Sequence, residues 1–132
     1  MIMITVAPLL LLMLADAPAT AKAGAEIYAN PQGSVRMKWA KCGSNHCGTV
    51  IWANAKAKAD AARGGSPKLV GLQLFRNFAS DGPNHWKGKV FVPDMGKSFS
   101  GEVERLDANR LEGSGCILGG LACKKQLWTR VR

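Results

Sequence analysis

The chain is short of acid. Nine Asp and Glu stand against eighteen Lys and Arg, a net charge of +9 over 132 residues. A balance this basic favours anionic partners: phospholipid head groups, acidic envelope polysaccharide or nucleic acid. Concentrated basic motifs are missing as well, since no run exceeds Lys124-Lys125, and the charge reads first as a solvated surface. Nucleic acid is set aside, because no aromatic stacking platform with interleaved Lys or Arg is present. There is no C-x-x-C, no Walker loop, no G-x-G-x-x-G and no G-x-S-x-G. Dithiol redox chemistry, phosphate cradling and the hydrolase elbow therefore lack their usual signatures. The two histidines, His46 and His85, sit in turn-like surroundings without Ser-His-Asp spacing. Glu102 and Glu104 share one strand face and read as a wet face rather than an acid/base pair. The chain is read as no enzyme, with no cofactor and no metal.

No segment after residue 15 is long and apolar enough to span a bilayer, so a membrane-spanning protein is not expected. Residues 1–15 hold one apolar run centred on Leu9 to Leu14, followed by Ala15-Asp16-Ala17, Ala19-Thr20-Ala21 and Ala21-Lys22-Ala23. That is the order of a secretory signal peptide, although no Lys or Arg precedes the run. The expectation is a cleaved leader over residues 1–23, export to the periplasm or beyond, and a single domain over residues 24–132.

Cysteine is sparse but paired: Cys42-x4-Cys47 and Cys116-x6-Cys123 each bracket a turn-like stretch. Export makes disulfides the default reading of an even count, and four cysteines allow three connectivities. Cys42 closes an alternating segment and Cys47 opens another across Gly43-Ser44-Asn45-His46, so a local hairpin pairing is favoured. The second pair flanks its turn in the same way. Each small loop contributes about 2 kcal/mol, against about 4–5 kcal/mol for a cross-link between positions 42 and 116. A zinc set of Cys42, His46 and Cys47 is weaker, because Cys116 and Cys123 carry no histidine beside them.

The rest of the chain is short strand-like runs and turns. Strands are expected near residues 25–29, 33–41, 47–53, 69–78, 86–92, 97–106, 110–117 and 124–131. Turn chemistry separates them at Asn30-Pro31-Gln32-Gly33, Asp81-Gly82-Pro83-Asn84, Pro93-Asp94-Met95-Gly96 and Asp107-Ala108-Asn109. Val35, Met37 and Trp39 alternate with Arg36 and Lys38, and Phe99, Gly101 and Val103 with Ser100 and Glu102, giving one buried and one wet face. Gly71, Gly88, Gly101, Gly113 and Gly115 fall inside these runs, as tight coiling of a small closed sheet would require. Asn54–Arg63, rich in Ala and Lys, predicts a short helix capped by Asn54 and stopped at Gly64-Gly65, packed lightly or lying over one end. Eight strands with short links predict an all-β, up-and-down antiparallel barrel. An OB-type five-stranded barrel would leave strands unused.

Several motifs resemble a bacterial family known as domain of unknown function 2147. They are Lys41-Cys42-Gly43, Cys47-Gly-x-Val-x-Trp52, Leu69-Val70-Gly71, Trp86-x-Gly-x-Val-Phe-x-Pro93, Gly96-Lys-Ser-Phe99, Gly115-Cys116 and Trp128-Thr-Arg-Val131. The resemblance covers about residues 25–132 and implies an exported, lipocalin-like (calycin-type) barrel with no established activity. Two features depart from it. Lys56–Ser66 replaces an Asn-Pro-Asp type motif, and Tyr28 stands where many members have a first-strand Trp. By resemblance, Arg130 on the last strand would pack across Tyr28 and close one end, a structural contact.

An eight-stranded barrel is just wide enough to be filled by its side chains or to hold one small ligand. Both outcomes stay open. If there is a cavity, Trp52, Phe75 and Trp86 are expected at its wall, with residues 54–63 at its mouth. The functional expectation is a binding module for an apolar, lipid-like ligand or an anionic envelope component. The alternative is an interaction protein with a filled core and a basic docking surface.

Overall fold

The computed structural model describes residues 26–117 and 122–132. The expected leader lies outside the described residues. Strands β1 (Glu26–Ala29), β2 (Val35–Cys42) and β3 (Asn45–Ala53) precede helix α1 (Ala55–Arg63). Five more follow: β4 (Gln73–Ser80), β5 (His85–Val92), β6 (Lys97–Asp107), β7 (Arg110–Ile117) and β8 (Ala122–Arg130). Each strand pairs antiparallel with the next, and β8 returns to β1 through Tyr28↔Arg130 and Ala29↔Thr129, closing the barrel. The connections after β1, β3 and β5 lie at one end, and those after β2, β4 and β6 at the other.

The helix begins and ends as its sequence dictates. Asn54 accepts a hydrogen bond from the Ala57 amide at 2.9 Å, and the Gly64 amide caps the last turn on the Asp60 and Ala61 carbonyls. Only Ala61 is fully buried, so α1 packs lightly. Strand β4 starts four residues later than expected. Gly71 takes φ +98° and Leu72 donates back to Leu69, so residues 69–72 form a turn. That turn remains tied to β3, with Val50 donating to Leu72 and Gly71 donating to Val50.

Both disulfides are local. Cys42–Cys47 and Cys116–Cys123 span Cα separations of 5.9 and 4.0 Å and sit at opposite ends of the barrel. With its two sulfurs bonded to each other, the first pair offers no thiolate to a metal.

Inside, Trp39, Phe75, Phe78, Trp86 and Trp128 meet edge to face, with ring centroids 5.3–6.1 Å apart. The strand glycines explain how these rings fit. A Cβ at Gly48 would sit 2.6 Å from the Phe75 ring, and one at Gly88 would sit 2.8 Å from Phe78 and 2.7 Å from the Arg76 carbonyl. These glycines are seats for aromatic rings. Gly115 is different: its nearest neighbour would be the Ser100 carbonyl at 3.6 Å, an ordinary contact.

Gly88→Ala is therefore expected to cost about 1–3 kcal/mol by overpacking, while Gly115→Ala stays within about 0.5 kcal/mol of the parent. Urea unfolding of the two variants checks this, and equal losses would contradict the seating account.

Candidate functional site

The rings fill only one half of the barrel. At the other end a cavity of about 720 Å³ opens between α1, the β1–β2 turn and the β5–β6 turn. This lies within the usual range for small-molecule sites. Its wall is apolar: Phe75, Val90, Phe99 and Trp128, with Gly113 close against the Phe75 ring and Gly115 in the lining. Register explains the polar groups at the mouth. Lys124 pairs with Gly115 and Gln126 with Gly113, so both share the barrel's inner face with glycines instead of bulky side chains. Lys124 makes no ion pair with a carboxylate among the described residues. Helix α1 contributes Lys56, Ala57 and Asp60 to the lining and ends against the Pro93–Asp94 backbone at Gly64. Trp128 is buried, and its indole Nε1–H, like that of Trp39 in the filled half, has no acceptor among the described residues.

The opposite end is plugged. Arg105 lies 5.2 Å over the Trp86 ring and donates to Glu26 Oε1 at 2.5 Å. The Tyr28 hydroxyl donates to the same carboxylate oxygen at 2.7 Å. His46 stacks on Trp39 at 5.2 Å and lies 5.3 Å from Trp86. Burial pushes the Glu26 carboxyl up, but the bonds from Tyr28 and Arg105 outweigh it and hold the carboxyl below its ordinary value. Burial, then the bond to Glu26 and its charge, push Tyr28 up to about 12. Burial, with the nearby charges of Lys41 and Arg105, lowers His46.

The residues expected at a cavity wall separate. Phe75 lines the cavity. Trp86 is buried in the plug instead, beneath Arg105. Trp52 stands outside the barrel, 43% exposed, with Arg36 5.1 Å over its ring. Simple alternation from Gly48 and Val50 would turn Trp52 inward. A β-bulge intervenes: Met37 pairs with Val50 and Arg36 with Trp52, leaving Ile51 as the extra residue and reversing the parity. Tyr28 and Arg130 are register partners at this end, and the guanidinium of Arg130 donates to the Ala108 carbonyl at 3.2 Å. Arg105 stacks on the Trp86 ring at the same end. Sequence reading missed it, although one more step along Phe99, Gly101, Val103 lands on it. Glu102 and Glu104 face outward, Glu102 2.7 Å from His85 and Glu104 opposite Glu112.

A protein-family model described as an uncharacterized protein conserved in bacteria, DUF2147, matches residues 26–130. The chain belongs to this family. Among solved structures it is similar to the protein HP1028 from the human pathogen Helicobacter pylori, described as belonging to the lipocalin family. The TM-score is 0.60 at 18% identity, over 83% of this chain and 82% of that one. At that identity the likeness is one of fold, and it places this DUF2147 member among lipocalin-like barrels. A comparison with curated proteins found no match.

The plug predicts the pH limits of this DUF2147 fold. A raised tyrosine pKa contributes stability that is lost as pH rises from the unfolded value of 10.0 through about 12. A lowered Glu26 contributes stability that is lost as pH falls below 4.5 through its folded value, and His46 adds a loss beginning below 6.5. Tyr28 is the chain's single tyrosine, so the ultraviolet band of tyrosinate reports it directly. The native protein should titrate near 12, and a midpoint near 10 would contradict the bond to Glu26. Glu26→Gln should flatten the fall in thermal midpoint below pH 4.5.

Proposed function

We propose that this protein is an exported, non-catalytic binding module that holds one amphiphile, an apolar tail with an acidic head. The observation that carries this reading is the half-filled barrel. The tail would lie on Phe75, Val90, Phe99 and Trp128, where apolar burial contributes about 25 cal/mol per Å². The head would meet Lys124 and Gln126 on the inner face of β8. Two disulfides agree with an oxidising compartment, and the leader-like residues 1–23 with export. The alternative of a fully packed core has no comparable support, since about 720 Å³ remains open to one end.

The test compares dodecanoate with dodecanol as competitors of anilinonaphthalene sulfonate fluorescence. Saturable displacement by both is expected. Lys124→Ala should weaken dodecanoate about fivefold, the factor for an ion pair of ~1 kcal/mol, and leave dodecanol unchanged. Gly115→Phe, which adds a ring at a position lining the cavity, should abolish both. A flat titration with the parent protein overturns the reading.

A further inference from the structure

The barrel's charge is not evenly spread. Residues 35–80, which form β2, β3, α1 and β4, hold eight Lys and Arg against one acid, Asp60. That acid is already paired with Lys56 and Arg63. Most of the protein's excess of +9 therefore lies on one wall. Strands β5 to β7 carry acids in similar number to their bases, and the outward Glu102, Glu104 and Glu112 lie there.

The same wall carries an apolar outer patch. Ile51, Trp52 and Val70 are 42%, 43% and 48% exposed. Two features force them outward together. The bulge in β3 turns Ile51 and Trp52 away from the core, and the hydrogen bonds linking Val50 to Gly71 and Leu72 hold Val70 alongside them. Arg36 lies over Trp52, and Lys38, Lys58 and Lys68 are exposed on the flanking segments without a carboxylate partner among the described residues. Trp52 is the penultimate residue of β3, two before the Asn54 cap of α1, so the patch adjoins the mouth of the cavity.

We propose that this wall docks on an anionic phospholipid bilayer, with Trp52, Ile51 and Val70 set into the head-group region and the surrounding cations on lipid phosphates. The chemistry is complementary on both counts. Tryptophan favours the membrane interface, and clustered Lys and Arg are attracted to anionic lipid within a Debye length. Acidic polysaccharide would satisfy the cations but leave the three apolar side chains in water. Docking places α1 and the cavity mouth at the lipid surface, where an amphiphile could pass without crossing water. That last clause rests on the amphiphile reading of the cavity; the docking itself does not.

The test uses the chain from Gly24, which contains every strand of the closed barrel, with vesicles of phosphatidylcholine alone or with 30% phosphatidylglycerol. Co-sedimentation is expected only with the anionic vesicles, falling more than tenfold on adding salt to about 0.5 M. A blue shift of tryptophan emission should accompany binding and disappear in Trp52→Phe. The pair Ile51→Ser with Trp52→Ala should weaken binding at least tenfold, and Lys58→Glu with Lys68→Glu should do the same. Both pairs are exposed, so their circular dichroism should match the parent. Gly115→Phe, which blocks the cavity, should sediment like the parent, so failure of the cavity reading and failure of docking are separable. Docking is overturned if vesicle binding is absent, if it survives both paired variants, or if the protein binds heparin while ignoring anionic vesicles.

Discussion

The close seating of aromatic rings on strand glycines is the constraint on which the rest of this structure depends. An eight-stranded barrel encloses little more than the volume of its own side chains. Phe75 and Phe78 enter that space only because Gly48 and Gly88 bring no Cβ to meet them. Once they are seated, Trp39, Trp86 and Trp128 pack around them, and one half of the interior is complete. The inner positions of β7 and β8 toward the other end are Gly113, Gly115, Gln126 and Lys124, and none of them rebuilds an apolar filling. The cavity follows from where the rings stop.

The two ends are built for different tasks. At the plugged end, Glu26 receives Tyr28 and Arg105 while Arg105 covers Trp86, so the half-buried carboxylate is paired and hydrogen-bonded. A charge taken from water needs both kinds of partner to avoid a net cost. At the open end, a helix with a single buried residue lies across the mouth. Lightly packed elements of this kind open at lower free energy than core strands, which suits passage of a cargo. A disulfide ties a hairpin at each end.

Much of the fold was legible from local chemistry. Turn residues placed the connections, Asn54 and Gly64 bounded the helix, and the cysteine spacing gave both hairpin disulfides. The resemblance to the family over nearly the whole domain agreed with the same barrel. What sequence hid was parity. Alternation counts two residues per repeat, and a single bulged residue, Ile51, reverses the direction of everything beyond it, so Trp52 exchanged an expected inner position for an outer one. The start of β4 was hidden for a related reason: Leu69 to Leu72 has strand composition but is held as a turn by Gly71. Trp86 and Phe75 are both buried, and no local pattern tells which end of the barrel each occupies. That assignment comes from long-range register, as does the meeting of Glu26 with Arg105.

The central claim is that the unfilled half of the barrel is a binding chamber. The most direct test is an isotope-filtered nuclear Overhauser experiment on labelled protein with unlabelled dodecanoate. The account predicts contacts from the methylene chain to Phe75, Val90 and the Trp128 indole, with the carboxylate end near Lys124. Contacts confined to Ile51, Trp52 and Val70, with none to the inner residues, would contradict it.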